Sequence, residues 1–485
     1  MKKLNYIYFV LLISTLTISI SSCKKYLDVN TNPNKPSTIT LSTLLPSVEE
    51  ATANSHYQVG FTACLLSQQL AAYTSGPLND DQNLDVRMGG AFASLYGNAL
   101  GNNNELIKLA KAQNAPFYEG VGKILMAINL GLATDVWGNI PYSQAFTGAA
   151  NLNPSYDVQQ NIYTEIQSLL SSAITLLGLP AGTQKPTSED LIFGGNASKW
   201  IKTANGLKAR YYMHLTKKGV ANSAALALPF FANALSGNVD DCQLVYNDRN
   251  FNPWHRNIAI GTTTGNFIIT HSKKFLDGMN GNLYPGLVDP RLPLIADKGA
   301  AATYNGIQNG VGTGGNTNIN ANTFFAKVNS PLFIFTYAEQ KMLEAEANFL
   351  ANGGTATSTG TNAATYSAYL AAINANMSKL SVAAASATAY VTNPLVDVAA
   401  ANLKMEQIMR EKFIITYLHP ETWVDVRRYD YNSSIYKGIQ LPTTQSPAMG
   451  GQFIRRAMYP LSELTLNTSA QPELKPMTDR LWWNQ

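Results

Sequence analysis

The chain has 485 residues with a formal net charge of +4, and 14% of its residues are charged while 45% are hydrophobic. The apolar fraction is ample for a large core, so composition excludes disorder as the default state. The near-neutral charge, without any run of Lys and Arg, excludes an electrostatic footprint for nucleic acid. Surface polarity has to come from Asn, Gln, Ser and Thr, which together with 24 Tyr and 6 Trp suit a neutral ligand.

The N-terminal residues have the parts of a secretory signal peptide. Lys2 and Lys3 form a basic head, and an apolar run over 6–20 follows. That run is shorter than the roughly 18 residues that a membrane-spanning helix needs. Ser21 and Ser22 then precede Cys23, which resembles a bacterial lipobox in which the thiol becomes acylated. We expect residues 1–22 to be removed and Cys23 to anchor residues 23–485 by lipid, outside the cytoplasm.

Five windows repeat apolar residues every three or four positions, which predicts amphipathic helices. In chain order they begin at Val121, Ile162, Trp200, Ile334 and Met405. Strand-like alternation is rare and short. The sequence therefore predicts a mainly α protein.

The helix beginning near Ile162 also has candidate end signals. Asp157 followed by Gln160 could form a capping box, and Gly178 could end the helix. Cys64 and Cys242 could form a disulfide, although Cys64 lies in the apolar run 61–66. We therefore expect both cysteines to be buried free thiols.

Long irregular segments interrupt the helical pattern. Gly, Asn and Thr dominate 256–325, and 298–323 nearly lacks large apolar residues. Two further loops are expected at 351–364 and 432–451. A long connection of this kind is usually functional or mobile. We predict a helical scaffold that carries a loop-rich insertion over about 240–330.

No catalytic, metal-binding or nucleotide-binding motif is present. The chain has five His, with no pair at helical zinc spacing, no His-Glu-x-x-His string and no Gly-x-Ser-x-Gly elbow. The glycine run 310–315 lacks the Lys-Ser/Thr of a phosphate-binding loop. Charged residues cluster late in the chain and are interpreted as structural ion pairs: Glu339, Glu344, Glu346, Arg410, Glu411, Asp425, Arg427 and Arg428. We expect no catalytic residue, no metal and no cofactor.

Eight short motifs follow one another along the chain. They are Cys23-Lys-Lys-Tyr-Leu-Asp-Val-Asn and the segments 135–145, 199–210, 289–293, 337–347, 410–413, 423–428 and 456–460. Each motif is weak alone, but their order is specific. In this order the chain resembles the SusD/RagB-like outer-membrane lipoproteins, in particular the SusD-like branch.

The resemblance implies a fold, a partner and a function. The fold would be a right-handed superhelix of tetratricopeptide-like helix pairs with long irregular loop insertions. The protein would sit on a SusC-type TonB-dependent transporter, bind a nutrient ligand and pass it to that barrel, without enzymatic activity. Lys24 and Lys25 replace the acidic residues that several surface-exposed relatives carry after the lipidated cysteine. Surface exposure on the outer membrane is therefore a weaker expectation than the anchor.

Two polar, aromatic loop segments are the candidate ligand site. Sugar rings lie flat on aromatic faces, and their hydroxyls need amide, hydroxyl or carboxylate partners. Tyr73 and Asn79 belong to one such segment (73–82), and Asn252 and Trp254 to the other (246–255). We predict these four residues as oligosaccharide contacts.

Three alternatives stay open from the sequence. The first is a peptide-binding member of the same family. The second is a glycan-processing enzyme on a helical scaffold, which would need two carboxylates about 5 to 9.5 Å apart. The third is a periplasm-facing helical-repeat scaffold for envelope assembly.

Overall fold

Helices dominate the structure, a computed structural model that describes residues 39–180 and 184–485. Strands in these residues are few and short, so the predicted mainly α class is confirmed. The right-handed superhelix of helix pairs stays a prediction. The predicted signal peptide (1–22) and the lipidation residue Cys23 lie outside the described residues.

The first part of the described chain is a succession of helices. In chain order these are α1 (Leu41–Leu66), α2 (Ser75–Asp81), α3 (Gly89–Ala93), α4 (Gly101–Ala112), α5 (Pro116–Trp137), α6 (Gln159–Leu177), α7 (Ala197–His214) and α8 (Val220–Phe231). A π-helical segment, Ser94–Leu100, leads into α4. From α4 to α8 each helix packs against the next.

Local signals explain where the central helices begin and end. Pro116 occupies the first turn of α5, where its missing N–H removes no helical hydrogen bond. Gly138 ends α5 with φ +87°, a conformation that glycine adopts without strain. Asn196 caps α7, because its side chain accepts a hydrogen bond from the Lys199 amide at 3.2 Å.

Residues 240–330, the predicted insertion, contain only short elements. Between them, irregular segments rich in Gly and Asn form the surface. The elements from this region to the next long helix are β4 (Cys242–Leu244), α9 (Ile260–Thr263), β5 (Ile269–His271), α10 (Lys273–Met279), α11 (Leu292–Ile295) and β6 (Leu332–Phe335).

Three short antiparallel strand pairs connect distant parts of the chain. β1 (Leu70–Ala72) pairs with β5 in the register Leu70↔His271, and β4 pairs with β6. β2 (Ile140–Pro141) pairs with β3 (Tyr156–Asp157). The β1–β5 pair therefore holds the segment 73–82, which follows β1, beside the insertion.

The last part of the chain returns to helices. α12 (Tyr337–Ala351) packs against α8 and α13 (Ala363–Lys379), and α15 (Met405–Ile415) packs against α12 and α13. One hydrophobic core runs through residues 41–485, which cluster as one unit. The helices are α12 (Tyr337–Ala351), α13 (Ala363–Lys379), α14 (Ala384–Val391), α15 (Met405–Ile415), α16 (Glu421–Arg428) and α17 (Leu461–Leu466).

Two local predictions are wrong. Asp157 does not cap α6, because its carboxylate accepts hydrogen bonds from the Tyr142 and Ser143 amides at 3.0 and 2.8 Å. Ile334 lies in β6 and not in the following helix, since Thr336 caps α12 through the Glu339 amide at 3.1 Å. The first error comes from hydrogen-bond partners that are distant in sequence. The second comes from a capping residue that lies inside the apolar stripe.

The predicted free thiols are confirmed, because Cys64 and Cys242 are both buried and unpaired. Within the described part of the chain, no helix combines the length and the apolarity that crossing a membrane requires.

Candidate functional site

A cavity of about 420 Å³ opens in the loop-rich insertion. Its volume falls in the range of about 300–1,000 Å³ that is typical of ligand sites. Cavities of about 460 and 530 Å³ lie on the helical scaffold, but this one combines an exposed aromatic ring with several amides. We call it the insertion cavity; it is lined by Thr262, Thr263, Phe267, Asp297, Gly299, Asn318, Asn320, Ala321 and Asn322.

The β1–β5 pair brings two aromatic rings together at this cavity. Tyr73 directly follows β1, and its amide donates to the Ile268 carbonyl at 2.8 Å. Phe267 therefore lies beside Tyr73, with ring centroids 6.0 Å apart and planes tilted by 50°. Phe267 is 37% exposed, and Tyr73 is half-buried. Partial burial also raises the pKa of the Tyr73 phenol, so this group stays a neutral hydrogen-bonding partner.

An Asn-rich segment forms another wall of the insertion cavity. The backbone of Asp297 and Asn318 pairs in both directions, at 3.0 and 2.7 Å. The Asp297 carboxylate accepts from the Gly299 amide at 2.7 Å and from the side chain of Asn320. The partly exposed side-chain amide of Asn318 has no hydrogen-bond partner among the described residues. It can therefore offer both a donor and an acceptor to a ligand.

Of the four predicted ligand contacts, Tyr73 contacts the lining residue Phe267 but does not itself line the insertion cavity. Asn79 is exposed on α2. The preceding Leu78 lies against the glycine run 310–315, because a Cβ built on Gly312 would lie 2.9 Å from its Cδ2 atom. Tyr73 and Asn79 thus both have side chains that are at least partly exposed to solvent.

The other two predicted contacts are buried. Asn252 donates to the Ser330 carbonyl at 2.9 Å and accepts from the Trp254 amide at 2.7 Å. Trp254 is 3% exposed and packs edge-on against Tyr57 of α1 at 4.9 Å. The expectation that Trp254 is an accessible loop ring is wrong, because burial against α1 removes its apolar face from water.

Sequence reasoning missed Phe267, Asn318 and Asn320. The signal was present, since Phe267 ends a Thr- and Gly-rich stretch and Asn recurs at every second position from 316 to 322. Period-2 spacing places those amides on one side of an extended segment. The sequence could not reveal the backbone pairing of Asp297 with Asn318, which brings this segment into the same cavity as Phe267.

Several charged residues of the late helices form buried ion pairs, whereas Arg427 donates instead to the carbonyls of Asp135 and Arg455. Arg428 pairs with Glu346 at 2.7 Å and with Asp425 at 2.5 Å. Lys412 pairs with the same two carboxylates at 3.0 Å each. Two cations thus neutralise two carboxylates inside the core. Coulombic attraction from Arg428 and Lys412 outweighs burial and lowers the pKa of Glu346 to about 2. The arrangement supports a structural role for this cluster.

A second buried cluster brings Asp135, His214 and Glu421 close enough together to suggest metal ligands. His214 Nε2 lies 2.7 Å from Glu421, and its Nδ1 lies 3.3 Å from Asp135. Burial opposes charge on the ring, but these carboxylates outweigh it and raise the pKa of His214 to about 9. In this protonation state the imidazolium is the shared ion-pair partner of both carboxylates.

Comparison with known families decides the classification. The family described as SusD-like, starch-binding and associating with the outer membrane matches residues 33–460. The chain belongs to the SusD-like family. No curated protein gives a significant match to it.

Solved structures of SusD-like proteins share the fold. A SusD/RagB protein from Bacteroides thetaiotaomicron is 20% identical, with a TM-score of 0.76 over 92% of this chain and 99% of its own. A chitin-binding SusD homologue from Flavobacterium johnsoniae is 20% identical, with a TM-score of 0.73 over 92% and 98%. A SusD homologue from Bacteroides uniformis is 19% identical, with a TM-score of 0.72 over 92% and 99%. The SusD-like protein described here therefore has the family fold along nearly its whole length.

Proposed function

We propose that this SusD-like protein is a surface lipoprotein that binds an oligosaccharide and delivers it to a SusC-type TonB-dependent transporter. The observation that carries the proposal is the exposed ring of Phe267, beside Tyr73, at the edge of an amide-lined cavity. Family membership supports an outer-membrane, nutrient-binding role.

The insertion cavity has the chemistry that a neutral sugar needs. The C–H face of a pyranose can lie on the Phe267 ring, which buries apolar area without burying a charge. Its hydroxyls can then exchange hydrogen bonds with Asn318 and with the oxygens of Thr262 and Thr263, which line the same space. A few placed polar groups on an apolar platform are typical of small-molecule sites.

The same chemistry favours sugars over charged peptides. The ionisable lining residue, Asp297, already accepts from Gly299 and Asn320. Among the described residues, no cation lines the cavity to pair with a peptide carboxylate. Asn79, on the exposed side of α2, is proposed as an additional contact for a longer ligand.

The anchor is part of the proposal. Cys23 would carry the lipid, and two or more acyl chains would be needed for durable attachment because one chain alone binds membranes only marginally. Mass spectrometry of the protein from outer membranes should find Cys23 acylated at the new N-terminus. A SusC-type barrel should co-purify from detergent extracts.

Binding of starch and chitin oligosaccharides to the full chain in detergent tests the function. Starch comes from the family description and chitin from a structural relative. We expect Phe267→Ala to weaken binding about 5–13-fold, since an aromatic contact contributes about 1–1.5 kcal/mol. Tyr73→Ala should weaken it in the same direction. Isothermal titration calorimetry measures both.

Phe230→Ala is the matched control. Phe230 is also a half-buried ring in an aromatic pair, with Tyr212 at 5.8 Å, but it lies on the scaffold helix α8. It should leave affinity unchanged. Equal affinity of Phe267→Ala and the unmodified chain would remove the insertion cavity from the proposal. Release of shorter sugars during the titration would instead favour the enzyme alternative, and tighter binding of peptides would favour the peptide alternative.

A further inference from the structure

The cavity of about 460 Å³ on the helical scaffold lies where the start of α8, the end of α12 and the end of α16 meet. Its volume is within the range that is typical of small-molecule sites. We call it the scaffold cavity. It shares no lining residue with the insertion cavity, so its ligand is independent of the proposed glycan.

The walls of the scaffold cavity are largely apolar. Val220 and Ala221 contribute from the first turn of α8, and Leu350 contributes from the last turn of α12. Ala356 and Ile435 complete this apolar surface. Val220 is 47% exposed, so a ligand with an apolar body would gain free energy by covering it.

One carboxylate at this cavity is shared by three cations. Asp430 pairs with Lys217, with Arg455 at 3.0 Å and with Arg480 at 2.6 Å. Burial opposes the charge of Asp430, but the hydrogen bonds from Lys217 and Arg480 outweigh it and lower the pKa of this carboxyl. In the described part of the chain, these three cations pair with no other carboxylate. The group therefore carries an excess of positive charge.

Lys217 is the cation of this group that a ligand can reach. Of the three, Lys217 alone lines the cavity, and its side chain is 30% exposed. The other lining cation, Arg428, is buried and already paired with Glu346 and Asp425. A lysine amine on its flexible stem can turn from Asp430 to a ligand, because both arginines still neutralise that carboxylate.

We propose that the scaffold cavity binds small organic acids that have an apolar body, such as arylalkanoates and medium-chain fatty acids. The ligand carboxylate pairs with Lys217, and the apolar body lies against Val220, Leu350 and Ala356. Arg455 and Arg480 offset the repulsion between the ligand and Asp430. An amine with the same body would add a positive charge to a group that already has an excess, so the cavity favours anions.

A series of three ligands with one apolar body tests this charge preference. Isothermal titration calorimetry measures binding of 4-phenylbutyrate, 4-phenylbutanol and 4-phenylbutylamine to the full chain in a nonionic detergent, at neutral pH and low salt. Titrations into micelles alone are subtracted. We expect saturable binding of the acid, at least about fivefold tighter than that of the alcohol or the amine, since hydrogen bonds between ionised groups are stronger than neutral ones. Absence of saturable acid binding would overturn the proposal, and so would equal affinity for the acid and the amine.

Lys217→Ala tests the partner of the carboxylate. It should weaken binding of 4-phenylbutyrate by about fivefold or more, because the ligand loses its ion pair while Asp430 keeps both arginines. Lys218→Ala is the matched control, since this exposed neighbour does not line the cavity and its Nζ atom lies over the Trp482 ring, 5.1 Å from the centroid. The control should leave the affinity unchanged. Equal affinities of the two variants would remove Lys217 from the site and overturn the proposal.

Val220→Asp and Val220→Lys form a second test that leaves every ion pair intact. Both replace the same exposed apolar side chain at the start of α8 and differ in the sign of the new charge. We expect 4-phenylbutyrate to bind more weakly to Val220→Asp than to Val220→Lys, because only the first variant repels the carboxylate. Urea unfolding checks that both variants are folded. Equal or reversed affinities would show that the acid binds elsewhere.

Discussion

At the scale of residues, five ionisable side chains, His214 among them, form one buried cluster. Arg210 pairs with Glu339 at 2.8 Å and approaches Glu421 at 3.7 Å, while His214 bridges Glu421 and Asp135. All five side chains are buried. Removing any one partner would leave a buried charge without compensation, so the cluster has to act as a unit.

The pKa of His214 makes this cluster a source of pH-dependent stability. The folded pKa is raised from 6.5 to about 9 by the two carboxylates. The stabilisation is therefore complete below pH 6.5 and is lost as pH rises through 9. We expect the advantage of the unmodified chain over His214→Gln to fall by on the order of 3 kcal/mol between these limits. Urea unfolding at several pH values measures it, and a pH-independent difference would contradict the prediction.

At the scale of elements, close approach of two helices depends on one glycine. Gly131 of α5 faces Tyr211 of α7, and a Cβ at this position would lie 2.2 Å from the phenol oxygen. The Tyr211 hydroxyl also donates to the Ala127 carbonyl at 3.3 Å, one turn earlier on α5. A glycine is a poor helix former, so its presence here is explained by the contact and not by propensity.

Gly131→Ala should destabilise the protein by about 1–3 kcal/mol, because the strain of overpacking exceeds the gain of about 1 kcal/mol in helix propensity. Gly278→Ala in α10 is the matched control, since a Cβ there meets nothing within 4 Å. The control should be neutral or slightly stabilising. Thermal and urea unfolding compare the two variants, and equal effects would show that the α5–α7 contact is not tight.

At the scale of the whole molecule, Arg291 connects the insertion to the helical scaffold. It is 0% exposed and contacts Asp289 of the insertion at 2.6 Å. It also contacts Glu411 of α15 at 2.7 Å and Asn376 of α13 at 3.0 Å. One guanidinium thus joins three segments that lie far apart in sequence, through the fork of donors that only Arg provides.

Arg291→Met should lower the free energy of unfolding by about 3–5 kcal/mol, because two carboxylates lose their shared buried cation. Lys108→Ala is the control, since it removes an exposed pair with Glu105 at 3.0 Å and should change stability by less than about 0.5 kcal/mol. Chemical unfolding measures both. An unfolding midpoint of Arg291→Met equal to that of the control would show that the insertion is held by other contacts.

Much of the scaffold was predictable, because the relevant signals are local. The windows at Val121, Ile162 and Met405 became α5, α6 and α15, since apolar residues spaced by three or four positions bury one helix face. The error at Asp157 had a tertiary cause: its carboxylate bonds to amides brought beside it by the β2–β3 pair. Local pattern could not reveal that competition.

The candidate site was only partly predictable. Tyr73 was named from the sequence, but Phe267 was not, and Trp254 was placed on the surface although it is buried. A polar-flanked aromatic has the same local sequence whether its loop folds onto a helix or stays exposed. In the folded protein Trp254 packs against Tyr57 and is buried, whereas Tyr73 contacts the exposed ring of Phe267.

The helical class and the family resemblance follow from the sequence alone, as does the expectation of a secretion signal, because periodicity, motif order and composition are local properties of the chain. Which aromatic rings are accessible and which charges neutralise one another depends instead on the folded structure. These properties depend on contacts between residues as far apart as Tyr73 and Phe267 or Arg291 and Glu411. Burial changes the free energy of a side chain through its neighbours in space, and those neighbours are set only when the chain folds.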